Sequence, residues 1–167
     1  MLCVYYRLQD LDFTQLMGIY SEGNKENAAE RYAEDDLNVA ILNVEQDFYQ
    51  YLKDVFFLEM GAFYAVWQKN DVYFSALRME PYRDGLLLEA LETHPDRRKC
   101  GYAKKLISAV LEQLKNTNTP AVYAHIHKRN IASVRTHLSC GFSRISEQAV
   151  YIDGSVNSRC CTMQYRF

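Results

Sequence analysis

The chain has 167 residues, 49% of them hydrophobic and 24% charged, with three Pro and seven Gly. That balance excludes a disordered polypeptide and predicts one domain over 1–167, long enough to bury a core without a staple. The net charge of −2 conceals a split: residues 1–92 hold 17 acidic and 7 basic side chains, residues 93–167 hold 4 and 12.

Such asymmetry predicts an anion held by the C-terminal half and a cation near the N-terminal half, or else two solvated faces. Apolar runs are short, and Met1 to Leu8 mixes aromatics with an Arg instead of pairing a basic stretch with an apolar one. No membrane span or leader is read, and a soluble, cytoplasmic protein is expected. Cys3, Cys100, Cys140, Cys160 and Cys161 are odd in number and lack CxxC spacing, so they predict reduced packing thiols and no metal site.

Val4 to Leu8 suits a first strand, and Phe13 to Glu34 one or two helices. Val44 to Phe57 spaces its apolar residues as a helix does, ended by Glu59-Met60-Gly61. The period then changes to two. Residues 62–68, 72–80 and 86–93 read as sequential antiparallel strands, separated by the turn sequences "KND" and "PYRDG". Ala103 to Leu114 is amphipathic, and Ala121 to Ile126 is a short apolar strand.

Asn130 opens a second helix, with Ile131, Val134 and Leu138 expected to face inward and Gly141 to close it. From Phe142 the chain alternates into a hairpin across Asp153-Gly154, and Cys161, Met163, Tyr165 and Phe167 share the inward face of the last strand. The sum is a mixed α/β domain with a central sheet and helices on its faces.

Between the strand 86–93 and the helix after it lies "HPDRRKCGYAKK". A loop that opens a helix offers unpaired backbone N–H groups at the positive end of the dipole, so it can hold a phosphate. Arg97, Arg98, Lys99, Lys104 and Lys105 add long-range attraction, while Gly101 and Ala103 let the main chain come close to a ligand. GxxxxGK[ST] is absent, as is GxGxxG after the first strand, which argues against a P-loop and a Rossmann dinucleotide site.

"RKCGYA" at 98–103 fits the [RQ]xxGx[GA] motif, preceded by "HP", and "NIASVRTHLSCGF" at 130–142 fits "NxxSxxxYxxxGF". In these motifs, their order and the strand between them, the chain resembles the GNAT-type N-acetyltransferase superfamily. The order of elements extends the similarity over nearly the whole chain, the N-terminal third matching in pattern only. The resemblance implies a mixed, mostly antiparallel sheet of about seven strands with helices on both faces. In it strand 86–93 splays from strand 121–126 to admit the pantetheine arm of acetyl-CoA.

By the same resemblance the arm pairs with the main chain near Leu91 and Thr93. The pyrophosphate lies on the loop Arg98, Lys99, Cys100, Gly101, Tyr102, Ala103 and Lys104, and Asn130 meets the pantetheine with Ser133 one turn along. Asn130 and Ser133 read alternatively as a helix cap and its N3 partner. Cys100 reads as a bystander rather than a nucleophile, because no His is paired with it in the motif.

Acylating an amine needs a base, because a primary amine with a reference pKa of about 10.4 is almost wholly protonated at neutral pH. Glu89, Glu92 and His125 are the candidates, each with an alternative as a surface or packing residue. A main-chain N–H near Leu91 or Thr93 supplies the oxyanion site in relatives. His137 stands where the family usually has the Tyr that protonates the departing sulfur. An imidazole can replace that acid, or only pack beside the cofactor.

The reading is acetyl transfer from acetyl-CoA to a cationic small-molecule or peptide amine, without metal or covalent enzyme intermediate, by a monomer or homodimer. The acceptor site is expected among the N-terminal helices and the 62–92 strands, and the "EDD" at 34–36 reads as a solvated loop or helix start, or as an attractor for the amine. A non-catalytic acyl-CoA sensor of the same fold is the alternative. A nucleic-acid-binding module is disfavoured by the acidic N-terminal half, and neither nucleic acid nor membrane is expected as a partner.

Overall fold

A computed structural model describes residues 1–33 and 36–167. In chain order it forms β1 (Leu2–Tyr5), α1 (Phe13–Arg31), α2 (Leu37–Asp54), β2 (Phe63–Lys69), β3 (Val72–Tyr82), β4 (Gly85–Thr93), α3 (Tyr102–Leu114), β5 (Ala121–His127), α4 (Ile131–Ser139), β6 (Ser143–Ser146), β7 (Ala149–Val150), β8 (Val156–Asn157) and β9 (Cys160–Arg166). Single 3₁₀ turns lie at Leu8–Asp10, Phe56–Leu58 and Pro95–Arg97.

Seven strands form one sheet in the order β1-β2-β3-β4-β5-β9-β6, while β7 and β8 make a separate small hairpin. Only β4 and β5 run parallel. This is the expected mixed α/β architecture.

Local chemistry sets the helix starts. The Asp12 carboxylate accepts from the Gln15 N–H at 3.0 Å to open α1, and Asp36 accepts from Asn38 N–H at 3.0 Å to open α2. That second cap starts α2 at Leu37 rather than at Val44. The first strand ends at Tyr5 rather than Leu8, because the chain turns at Leu8–Asp10 with Arg7 paired to Asp10.

Alternation along the strands divides the interior in two. Phe63 and Ala65 of β2, Leu77 and Met79 of β3 and Leu88 of β4 join Leu106, Ile107 and Val110 of α3 on one face. Tyr64 and Val66 of β2, with Ala76 of β3, join Leu16 and Ile19 of α1 and Leu52 of α2 on the other. The period of two thus places α1 and α2 opposite α3.

On α4 the predicted inward face holds only at Val134, which packs against the core. Ile131 and Leu138 are 52% and 51% exposed, while His137 is only 2% exposed. Asn130 Oδ1 holds the Ser133 N–H at 3.0 Å, and Phe142 N–H donates to the His137 carbonyl at 3.1 Å. Together these fix the helix rotation so that Ser133, Val134 and His137 face the sheet. Phe167 is likewise half exposed, although Cys161 and Met163 before it are buried.

Pairing of β4 with β5 covers only Leu86–Leu88 against Val122–Ala124, and the strands part beyond it. The contact is tight at its base: a Cβ on Gly85 would lie 2.0 Å from the Ala121 carbonyl oxygen. Gly85→Ala is therefore expected to destabilise the domain by at least about 1–3 kcal/mol, the usual range for overpacking, read as a lowered denaturant midpoint.

Candidate active site

Where β4 ends, the loop before α3 turns through two left-handed residues, Lys99 with φ +60° and Gly101 with φ +76°. Gly101 gives α3 no side-chain cap, and the first amide bonded back into the helix is Lys105 N–H on Gly101 O, at 3.0 Å. The N–H groups of Tyr102, Ala103 and Lys104 are left for an external acceptor.

They line a groove of about 670 Å³ between α3 and α4. Its walls take in Leu91, Thr93, Lys99, Gly101, Tyr102, Ala103, Lys104, Asn130 and Ser133, joined by Arg97 and Arg135. The groove carries the charge and the free amides that a diphosphate needs. Every nucleotide-site candidate except Cys100 borders it; Cys100 is exposed on the loop and does not contribute to the wall.

Arg98 also borders the groove, but its guanidinium is directed across the end of β4. It pairs with Glu22 of α1 and, at 3.6 Å, with Glu92.

Next to the groove, the opening between β4 and β5 holds about 190 Å³, bounded by Leu88–Leu91, Ala124–His127, Asn130, Ser133 and His137. On the α1 and α2 side of β4 a third cavity, of about 550 Å³, is bounded by Tyr20, Asn24, Phe48, Tyr51, Arg78, Ala90, Glu92 and Arg98, among others. Glu92 and Arg98 border both the first and the third.

The three candidate bases are held differently. Glu89 binds Arg78 through one oxygen at 2.8 and 3.1 Å, in an ion pair that is mostly buried. Glu80 lies beside it, and burial with the Glu89 contact pushes its carboxyl up to about 7. His125 uses both ring nitrogens: Nε2 lies 3.1 Å from the Val150 carbonyl and Nδ1 3.2 Å from Thr162 Oγ1. It fastens the β7–β8 hairpin to β5, and burial lowers its pKa.

Glu92 meets Arg98 at 3.6 Å and borders the third cavity. Burial raises its carboxyl above the ordinary range although Arg98 opposes the shift.

His137 Nδ1 lies 2.9 Å from the Ser133 carbonyl, which makes Nδ1 the protonated nitrogen. Nε2 is left as a lone-pair acceptor, buried and without a partner, and burial lowers the pKa of the ring. Its edge rests on Phe142, with ring centroids 5.1 Å apart. Asn130 caps α4 through Oδ1 and still borders both the groove and the opening.

Around the third cavity, Asp47 is matched to Arg31 and Glu89 to Arg78. Glu34 and Asp35 of the "EDD" run lie outside the described residues, and Asp36 is the α2 cap.

Residues absent from both motifs complete the site. Ala90 takes φ +49° within β4, and the ladder to β3 slips there, with Ala76 opposite Glu92 and Arg78 opposite Glu89. Tyr20 and Tyr64 approach this bulge from α1 and β2. An alanine gives no local sign of a left-handed backbone, so only the long-range pairing could have revealed it.

The uncapped helix start, the parted parallel strands and the bulge beside them define an acyltransferase fold. The family model for the GNAT acetyltransferases matches residues 25–142, and the chain belongs to that family. In structure it is similar to the PaiA N-acetyltransferase from Thermoplasma acidophilum in complex with coenzyme A. That match has a TM-score of 0.64 and 11% identity, and covers 100% of this chain and 99% of the other.

It is also similar to the ribosomal-protein-alanine N-acetyltransferase from Brucella melitensis (0.64, 18%, covering 99% of each chain). A third match is the spermidine N-acetyltransferase from Vibrio cholerae in complex with CoA and spermine (0.62, 15%, 99% and 95%). No curated protein matches the chain in sequence.

Proposed function

We propose that this protein transfers an acetyl group from acetyl-CoA to a primary amine by direct attack in a ternary complex. The observation that carries the reading is that three spaces adjoin at β4, the groove sharing Leu91, Asn130 and Ser133 with the β4–β5 opening and Glu92 and Arg98 with the third cavity. The groove carries free amides and cations and borders the β4–β5 gap, and Glu92 lines both it and a partly aromatic cavity. Lys99 to Lys104 would hold the diphosphate, and Leu91, Thr93 and Asn130 the pantetheine. The acceptor would enter between α1 and α2 along Tyr20, Phe48 and Tyr51.

Glu92 takes a proton from the ammonium, directly or through water. The freed amine attacks the thioester carbonyl to form the C–N bond, the adduct collapses with breakage of the C–S bond, and the second N–H proton passes to the departing thiolate, directly or through water. A main-chain N–H at the bulge meets the oxygen charge that develops. Glu89 orients Arg78, and His125 anchors the hairpin. Unbridged cysteines favour a reducing, cytoplasmic setting.

The thiolate's departure depends least on the protein, since its conjugate acid has a pKa of about 8.5. With Nδ1–H on Ser133, His137 can act as an acid only as the imidazolium, which burial disfavours. We therefore expect His137→Phe to lower turnover by up to about tenfold, below the usual share of a general acid, with acetyl-CoA affinity unchanged and activity retained in His137→Tyr. Steady-state kinetics beside a binding titration checks this; a loss above a hundredfold would assign His137 the full acid role.

The same neutral ring favours a second reading, a sensor that binds acyl-CoA without turnover. Thermal shifts with acetyl-CoA, coenzyme A, ATP and NAD, followed by thiol release over an amine panel, decide between them. Stabilisation by the two CoA species and release with an amine support the enzyme. Stabilisation with silence across the panel supports the sensor, and no CoA effect rejects both.

A further inference from the structure

Ala90 is the one non-glycine residue with positive φ inside a strand among the described residues; Asn70, Asp71, Arg83 and Lys99 occupy turns or the α3 loop. Left-handed backbone is unfavourable for alanine and persists only where the surroundings hold it. Two β4 residues, Ala90 and Leu91, stand here opposite the single Leu77 of β3, so the carbonyl of Ala90 leaves the ladder.

That carbonyl accepts from the Tyr20 hydroxyl at 2.8 Å. Because Tyr20 donates there, the proton in its 3.2 Å contact with Tyr64 comes from Tyr64, giving the chain Tyr64 to Tyr20 to Ala90. Burial holds both phenols neutral, Tyr64 with its pKa pushed up to about 12. On the far side Ser75 Oγ donates to the Glu92 carbonyl at 2.6 Å and receives the Thr93 hydroxyl at 3.2 Å. Side-chain hydroxyls thus hold the main chain on both sides of the bulge.

We propose that Tyr20 is a positioning residue for acetyl transfer: its hydroxyl fixes the Ala90 carbonyl, and thereby aims the Leu91 N–H at the thioester oxygen. The inference rests on the acetyl-CoA reading above and extends it to a residue outside both motifs. The peptide plane between Ala90 and Leu91 carries both groups, so a hydrogen bond to its carbonyl oxygen sets the direction of its N–H. Turning that plane re-aims a donor whose value lies in its placement.

Tyr20 also borders the acceptor cavity, so turnover alone would not separate positioning from acceptor contact. The test therefore reads the cofactor without an acceptor. Difference infrared spectra of acetyl-CoA labelled at the thioester carbonyl are recorded on wild type, Tyr20→Phe and Tyr64→Phe, beside acetyl-CoA titrations.

Wild type is expected to lower the carbonyl frequency on binding. Tyr20→Phe should return it toward the free value with affinity changed less than about twofold, and lower kcat by about 10- to 100-fold, as a small misplacement does. Tyr64→Phe, which keeps the Tyr20–Ala90 bond, should retain most of the shift. A carbonyl frequency equal in Tyr20→Phe and wild type overturns the positioning role alone, as do equal losses in both variants, which would mean general loosening. Failure of wild type to bind acetyl-CoA overturns the functional reading itself.

Discussion

Replacing Gly101 by Val is expected to weaken acetyl-CoA binding by at least about a hundredfold while leaving the domain folded; a tenfold change corresponds to about 1.4 kcal/mol. Gly101 holds φ +76°, and a Cβ there would meet nothing within 4 Å, so the obstacle is backbone conformation, not space. Left-handed geometry costs an L-residue about 1–2 kcal/mol, and a β-branched one tolerates it worst. The loop would relax to negative φ and turn the amides of 102–104 away from one another. Gly101→Asn, which tolerates positive φ, should keep most of the affinity. Calorimetric titration of both variants checks the pair, and unchanged affinity in the Val variant removes the α3 start from the cofactor site.

Glu92→Gln is expected to lower turnover by about a hundredfold at neutral pH, the lower end of what a general base contributes, with acetyl-CoA affinity little changed. Glu92 borders the acceptor-side cavity, and burial raises its carboxyl pKa. The ionised form is the base, so kcat/KM in wild type should rise with pH through that raised pKa and fall as acid protonates Glu92. In Glu92→Gln that limb should vanish, leaving only the rise that belongs to the amine itself. Glu89→Gln serves as a contrast. Glu89 is bonded to Arg78, so its loss should lower stability more than it changes the pH profile. A Glu92→Gln profile that matches wild type would move the base elsewhere.

The proposed cofactor half was legible as one groove because its signals are local. A glycine at a helix start, small residues beside it, cations, and an Asn that caps the next helix all lie within short stretches, and the structure gathers them around one groove. The acceptor half was not. Tyr20, Tyr64 and Arg78 come from α1, β2 and β3 and meet only through the sheet register, which periodicity does not encode. Helical spacing found α4 but mistook its inward face, since Ile131 and Leu138 are apolar yet exposed while a histidine is buried. Hydropathy ranked those residues correctly as types, and capping by Asn130 decided which of them turned inward.

The two large cavities lie on different sides of β4 and have only Glu92 and Arg98 in common. On the proposed reading, substitutions along α1 and α2 therefore reshape what is acetylated without disturbing the amides that would hold the donor. Selection on one ligand is nearly independent of selection on the other, so two chains with the same 98–103 loop and different helical hairpins need not share an acceptor.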